Sequence, residues 1–385
     1  MSSKQEFSYL MKHIIVTIGT RPEAIKMAPV LKSLSEYSKD FRVTLVSTAQ
    51  HRQMLDQVLD AFQIEPQVDL DIMRPDQSLS ESSARALRGL DEILAGLRPD
   101  LLLVQGDTNT VLAGAMAAYY HRIPVGHVEA GLRTNDLYRP FPEEMNRRLT
   151  SPLARLHFAP TVKARDNLLQ EGIPEDRIFV TGNTVVDALL WIARERTDAL
   201  PQEARGILDR GRRLVLVTSH RRESLDRDLD QICLALRELV QSFEDIEILY
   251  PVHLNPRVQE TVREILGNTE RIHLIAPLAY PAFVQVLRAA YLILTDSGGV
   301  QEEAPTFGTP ILVLREVTER SEAIDAGVAK LVGVKRKDIL REASHLLKDR
   351  EIYAGFARPS NPFGDGHAAE RISRHIKDFF KSQQE

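Results

Sequence analysis

Short runs that are apolar along their whole length, alternating with amphipathic stretches, constrain this chain more than any other feature. HIIVTI (13–18) is a strand, GTRPE a turn, and a helix follows to about Tyr37. FRVTLVST (41–48) is the next strand and HRQMLDQVLDAF the next helix, with Met54, Leu55, Val58, Leu59 and Phe62 at helical spacing. Ser78 to Leu97 reads as a longer helix, stopped by Arg98-Pro99-Asp100. LLLVQ (101–105), NTVLAGAMAAYYH and PVGHVE (124–129) continue as strand, helix and strand. Strands of this kind need cover on both faces, so they belong to a parallel sheet with helices on either side. The pattern restarts after Ala199-Leu200-Pro201, where RLVLVTS (213–219), IEILYPV, RIHLIAP, YLILTDS and TPILVLR each precede a helical segment. The chain is therefore expected to be α/β, with two βα arrays and a terminal helix, His367 to Lys381, that has no strand partner.

A length of 385 residues suits two domains. The net charge of -5, with the two signs mixed along the chain, provides no basic surface for nucleic acid. The single cysteine, Cys233, lies in the apolar stripe of DLDQICLALRELV, which predicts a buried thiol and a reducing compartment. No apolar run is long enough to span a bilayer, and MSSKQEFSYL lacks the apolar core of a signal peptide. The expectation is a cytoplasmic protein without membrane insertion.

In open parallel sheets ligands bind beyond the carboxyl ends of the strands. The polar residues expected there are Arg21 and Lys26, then Asp107, then Glu129, and in the second array His220 with Arg221 and Arg222, His253, and Ser297-Gly298-Gly299 with Glu302 and Glu303. In TDSGGVQEEAPTFG (295–308) a Ser-Gly-Gly turn precedes a helix beginning near Val300. Bare glycines and a helix start suit a diphosphate, and Glu303 suits ribose hydroxyls; the alternative is a capped turn with surface acids. In GTRPEAIK (19–26), Gly19 permits a tight turn, Pro22 suits the first helical position, and Arg21 and Lys26 suit phosphate. Its glycine spacing is not the dinucleotide fingerprint, which argues against NAD. Glu129 ends a buried strand, where a carboxylate needs a purpose or a cation. Glu143 and Glu144 follow two prolines, as site residues or as acids complementing a helix dipole. Asp107, in QGDTNT, is a site residue or the cap of the helix starting near Asn109. No His/Cys/carboxylate set has metal-ligand spacing.

Taken together these windows resemble the bacterial non-hydrolysing UDP-N-acetylglucosamine 2-epimerases over residues 12 to 377. The resemblance is carried by GTRPEAIKMAP, TAQHRQMLDQ, GDTNT, PVGHVEAGLRT, PEEMNR, TGNTVVDALL, VTSHRRES, YPVHLNP, TDSGGVQEEAP and TERSEA, in that order. It implies two Rossmann-like domains facing each other across a cleft, the glycosyltransferase-B-like architecture. Residues 12–199 would form an N-terminal domain with the catalytic carboxylates and 200–365 a UDP-binding domain. The helix in 366–385 would pack back on the first.

The implied reaction interconverts UDP-GlcNAc and UDP-ManNAc without NAD or metal, in a homodimer. By the same resemblance Arg21, Lys26, Asp107, Glu129, His220, Phe283, Ser297, Gly298, Gly299, Glu303 and Arg320 line the substrate cleft. Asp107, Glu129, Glu143 and His220 serve catalysis. Leu278 stands where relatives often carry a glutamine near the uracil, and leaves uracil reading to backbone groups. Gln50, Gln53, Arg74 and His253 match segments that hold an activating second UDP-GlcNAc, with Asp76 where some relatives are basic. The rival readings are an epimerase of UDP-diacetamido sugars and a glycosyltransferase of the same fold; three carboxylates favour proton transfer at two faces of C2 over a single base.

Overall fold

The computed structural model describes residues 11–48, 52–74, 77–197, 200–219, 228–318 and 320–383. They form two compact units: residues 1–188 with 364–385, and residues 189–363. In the first unit the strands are β1 (Lys12–Ile18), β2 (Phe41–Ser47), β3 (Val68–Asp69), β4 (Leu101–Gln105), β5 (Val125–Val128), β6 (Leu156–Ala159) and β7 (Ile178–Val180). Every pairing is parallel, and the order across the sheet is β3-β2-β1-β4-β5-β6-β7. The second unit holds β8 (Arg213–Thr218), β9 (Ile246–Pro251), β10 (Ile272–Ile275), β11 (Leu292–Thr295), β12 (Ile311–Val313) and β13 (Ala329–Leu331). Its parallel sheet has the order β10-β9-β8-β11-β12-β13. Both sheets thus begin at a central strand, build outward to one edge, and then cross over to build toward the other, which is Rossmann-like topology.

The apolar runs seen in the sequence are the cores. Ile15, Val46, Leu102 and Val104 pack with Leu90, Leu94 and Val111 of the covering helices in the first unit. Val215, Val217, Ile248, Tyr250 and Leu294 pack with Leu236 and Leu239 in the second. Cys233 is fully buried in that second core, and burial pushes its thiol up to about 12, so it is an inert core side chain. The strands absent from the sequence reading are short ones, β3, β6, β7 and β13. Two to four residues are too few to display a period, and β6 carries a buried histidine, His157. Helix Ala368–Ser382 belongs to the first unit, where Phe380 meets Phe41 at 6.0 Å between ring centroids and Lys377 pairs with Asp40 at 2.7 Å. Among the described residues no helix is long and apolar enough to cross a membrane.

The topology fixes where chemistry can occur. In each sheet the crossover leaves a crevice at the carboxyl ends of two neighbouring strands, β1 and β4 in one, β8 and β11 in the other.

Candidate active site

At the crevice of the first sheet, β1 runs into Gly19-Thr20 and the helix Arg21–Glu36. Gly19 is required by close approach rather than by turn conformation: a Cβ there would lie 2.5 Å from both Thr48 Oγ1 and Thr110 Oγ1. Those hydroxyls are hydrogen-bonded to each other at 3.0 Å, closing the layer under the site. Glu23, one turn into the helix, folds back to accept from the backbone N–H of Gly19 (3.0 Å) and Thr20 (2.6 Å), and from the Thr108 hydroxyl (2.8 Å). Burial outweighs these bonds and pushes its carboxyl up to about 7. Glu23 therefore joins the loop after β1 to the loop after β4.

The loop after β4 carries Gly106 and Asp107. Gly106 has φ +81°, and its carbonyl accepts from His127 Nε2 at 2.7 Å. Burial pushes His127 down to about 4, so the imidazole is neutral and its Nε2–H is the donor. Asp107 is not the helix cap: Thr108 is, accepting from the Val111 N–H at 3.4 Å. The Asp107 carboxylate instead pairs with Arg147 at 2.6 Å, and Asn146 Nδ2 donates to the Asp107 carbonyl at 2.9 Å. Both partners come from the helix Glu143–Thr150, which is thereby clamped to the β4 loop.

Glu129 stands one residue beyond β5, not within it. Its φ of +63° is a left-handed conformation that costs a residue other than glycine roughly 1 kcal/mol or more. The carboxylate is 7% exposed and accepts from Lys26 Nζ, from Gln105 Nε2, and from Asn183 Nδ2 at 3.0 Å. Three donors from three different elements hold one strained residue. Lys26, expected to neutralise phosphate, is here the cation of Glu129.

The adjacent acids 143 and 144 divide sharply. Glu144 is fully buried and structural: it accepts from the N–H of Thr134 (3.0 Å) and Asn135 (3.3 Å) and pairs with Arg147 and Arg148. Desolvation opposes its charge, but those hydrogen bonds win and hold its carboxyl below the ordinary range. Glu143 differs in that its Oε2 is buried with no hydrogen-bond partner among the described residues. Asp107, Glu129 and Glu143 therefore sit on neighbouring elements of one unit: the ends of β4 and β5, and the helix clamped to the β4 loop.

In the second unit the loops after β8 and β11 are joined by Ser219 Oγ donating to Asp296 at 3.1 Å. Helix Gly298–Glu303 starts at Gly298, two residues earlier than expected, so both glycines form its first turn. Arg320 lies over Gly298: a Cβ there would be 3.3 Å from the guanidinium carbon, a tight fit. Arg320 Nε donates to Glu302 at 2.9 Å, and Tyr280 donates to Glu303 at 3.0 Å. Glu302 and Glu303 are buried, which removes the surface-acid alternative. Phe283 and Leu278 are half-buried, in and just before the helix Tyr280–Ala289. Arg21 is the first residue of its helix and half-buried. His220, Arg221, Arg222, Gln50 and Asp76, and the side chain of Gln53, lie outside the described residues. Arg74 is exposed in the first unit and donates to the carbonyls of Asp71 and Met73. His253 is exposed in the second, its Nδ1 accepting from the Asn255 N–H at 3.1 Å.

Sequence reasoning missed Glu23, Gln105, Asn183 and Arg147, and left Glu144 between a site role and a helix-dipole role. Two carried a usable signal: Gln105 ends an otherwise apolar strand, and Arg147 lies one helical turn after Glu143. Among the described residues no group of three or more His, Cys, Asp or Glu side chains is placed to hold a metal ion.

The family model for UDP-N-acetylglucosamine 2-epimerase matches residues 33–377. The UDP-N-acetylglucosamine 2-epimerase of Escherichia coli K12 is 51% identical over 370 residues, covering 95% of this chain and 98% of that one. The enzyme of the same name from Bacillus subtilis is 49% identical, covering 94% of each. The crystal structure of the Neisseria meningitidis UDP-GlcNAc 2-epimerase bound to UDP-GlcNAc superposes with a TM-score of 0.87 at 42% identity, covering 95% of this chain and all of that one. With its two Rossmann-like units of glycosyltransferase-B-like type and near-complete coverage, this chain belongs to the UDP-N-acetylglucosamine 2-epimerase family.

Proposed function

We propose that the chain is an isomerase that interconverts UDP-N-acetylglucosamine and UDP-N-acetylmannosamine by eliminating and re-adding UDP. The C2 hydrogen of a closed pyranose has no neighbouring carbonyl, so enolisation is closed while UDP occupies C1. Elimination avoids this. A base takes the C2 proton, the C1=C2 double bond forms, and the C1–oxygen bond breaks with its electron pair going to UDP. The intermediate is 2-acetamidoglucal. Re-addition of UDP at C1 with protonation of C2 on the other face gives the epimer.

The observation that carries this reading is Glu129, a buried carboxylate in a strained backbone, one strand from Asp107. Strain persists where the surroundings over-determine it, and functional sites are where it gathers. Asp107, Glu129 and Glu143 perform the proton transfers at C2. Arg21, His220 and the Ser297–Gly299 helix start with Arg320 receive the pyrophosphate, where charge develops as the C1–oxygen bond breaks. Glu303 takes the ribose hydroxyls, and Leu278 and Phe283 border the uracil. Lys26 acts through Glu129. The enzyme works in the cytoplasm as a homodimer, without NAD or metal. A second UDP-GlcNAc activates it through Gln50, Gln53, Arg74 and His253.

The test is NMR of UDP-GlcNAc incubated with the protein alone in heavy water. UDP-ManNAc carrying deuterium at C2, with no effect of added NAD, is expected. Retention of the original C2 hydrogen refutes the elimination route.

A further inference from the structure

We infer that Asn183 is a positioning residue for Glu129, and that it ties this carboxylate to the point where the chain re-enters the first unit. The inference deepens the proposed function by adding a residue outside the set that meets substrate.

The chain leaves the first unit between Ala188 and Leu189 and returns between Phe363 and Gly364. Asn183 lies five residues before the exit and against the point of return. Its side chain is buried, and its orientation is fixed at both ends. Oδ1 accepts from the Val185 N–H at 3.1 Å, so the amide nitrogen must face the other way, where it donates to Glu129 Oε1 at 3.0 Å. Its backbone is equally constrained. A Cβ on Gly364 would lie 3.3 Å from the Asn183 nitrogen and 3.4 Å from its carbonyl oxygen, so the returning chain rests on this residue and a methyl group there would press on its backbone.

The contacts on either side make this a pinned junction rather than a single touch. Upstream, Arg371 donates to the Thr181 carbonyl at 3.0 Å while its guanidinium grips Asp365 with bonds of 2.8 and 2.6 Å. Downstream, Asp187 accepts from the N–H of Ala369 at 2.8 Å and of Ala368 at 3.3 Å, holding the start of the helix Ala368–Ser382. Residues 181–187 thus carry the whole re-entry segment 364–371, with Asn183 at the centre.

Of the three donors on Glu129, Lys26 comes from the helix after β1 and Gln105 from β4. Both belong to the body of the first sheet. Asn183 alone among these three stands in residues 181–187, which hold the re-entry segment. A residue held at φ +63° depends on its donors for its position. Of the three donors, Asn183 is the one whose backbone Gly364 of the re-entry segment rests on. Lys26 is the charged group facing Glu129, and it is unaltered in the variants below.

The experiment uses full-length protein labelled with 13Cδ-glutamate, with the Glu129 resonance assigned by its loss in Glu129→Gln. Asn183→Ala removes the donor, and Gly364→Ala pushes the Asn183 backbone without touching Glu129. Both variants are expected to move the Glu129 resonance. Both should also lower kcat on UDP-GlcNAc about tenfold with KM within about twofold, the loss of one hydrogen bond to a charged group felt in turnover. A resonance unmoved in Asn183→Ala overturns the positioning role, and one unmoved in Gly364→Ala overturns the tie to the crossing. Asp365→Ala, an exposed residue whose loss frees Arg371, serves in place of Gly364→Ala if that variant does not fold, and is read the same way. A wild-type protein inert toward UDP-GlcNAc removes the proposed function, while the resonance still decides this inference.

Discussion

Glu23→Gln isolates what a buried carboxyl beside the site does to stability. Glu23 is 2% exposed and titrates near 7 in the fold against an ordinary 4.5, desolvation being the largest cause. Between those two values the folded protein keeps a proton that the unfolded chain has released. The native state then binds more protons than the unfolded one, so stability falls as pH rises through the window. At 1.36 kcal/mol per pH unit the loss amounts to roughly 3–4 kcal/mol at most, complete once the pH exceeds the folded value. Glutamine removes the titration but keeps an oxygen for the Gly19 and Thr20 N–H groups, and its amide donates to Thr108 Oγ1. Urea midpoints followed by circular dichroism at several pH values between 5 and 8 give the comparison. The stability of wild type relative to Glu23→Gln should decline across that range and level off above pH 7. A difference that stays constant, or grows with pH, refutes the reasoning.

Glu129→Gln and Asp107→Asn should each lose on the order of a hundredfold or more in turnover while circular dichroism shows the protein still folded, since each keeps the side chain's shape and loses a proton-transfer group. Glu144→Ala should cost about 1–3 kcal/mol in urea denaturation, because it leaves the buried Thr134 and Asn135 N–H groups without their acceptor while Arg147 keeps Asp107. The contribution of Glu144, whose folded carboxyl is held low, should be present above the unfolded value and fade as the pH falls through the folded one. Pure UDP-ManNAc should convert with a lag that a trace of UDP-GlcNAc removes and His253→Ala changes; immediate full-rate conversion, indifferent to His253→Ala, counts against a second site.

The parts of this protein that were legible in its sequence are those where one physical demand governs a run of residues. Full burial on both faces wrote β1, β4, β8 and β11 as unbroken apolar runs, and those are the strands that create the two crevices. Polar residues just past such runs, Asp107 and Glu129, stood out for the same reason. What stayed hidden depends on partners far apart in the chain. The Lys26–Glu129 pair spans 103 positions and the Asn183–Glu129 bond 54, and no local pattern announces either. The split between Glu143 and Glu144 was equally invisible, because neighbouring identical residues differ only in which side of a helix faces Thr134 and Arg147. At Gly298 the glycine reads locally as a turn, whereas in the fold it opens a helix beneath a guanidinium 22 positions later in the chain.

The division of the chain into units has a consequence during synthesis. Residues 189–363 are an uninterrupted stretch and can complete their fold as they emerge, whereas the first unit is written in two pieces. At ribosomal rates of about 5–20 residues per second, roughly 10–35 s separate its first piece from its last helix. Throughout that interval the surface of Phe41 and Tyr37 lacks Phe380 and Lys377, the groups that cover it in the finished protein. A nascent chain halted before Ala368 should therefore hold a folded second unit and a first unit with an open apolar face, which makes that face the place where a chaperone would be needed.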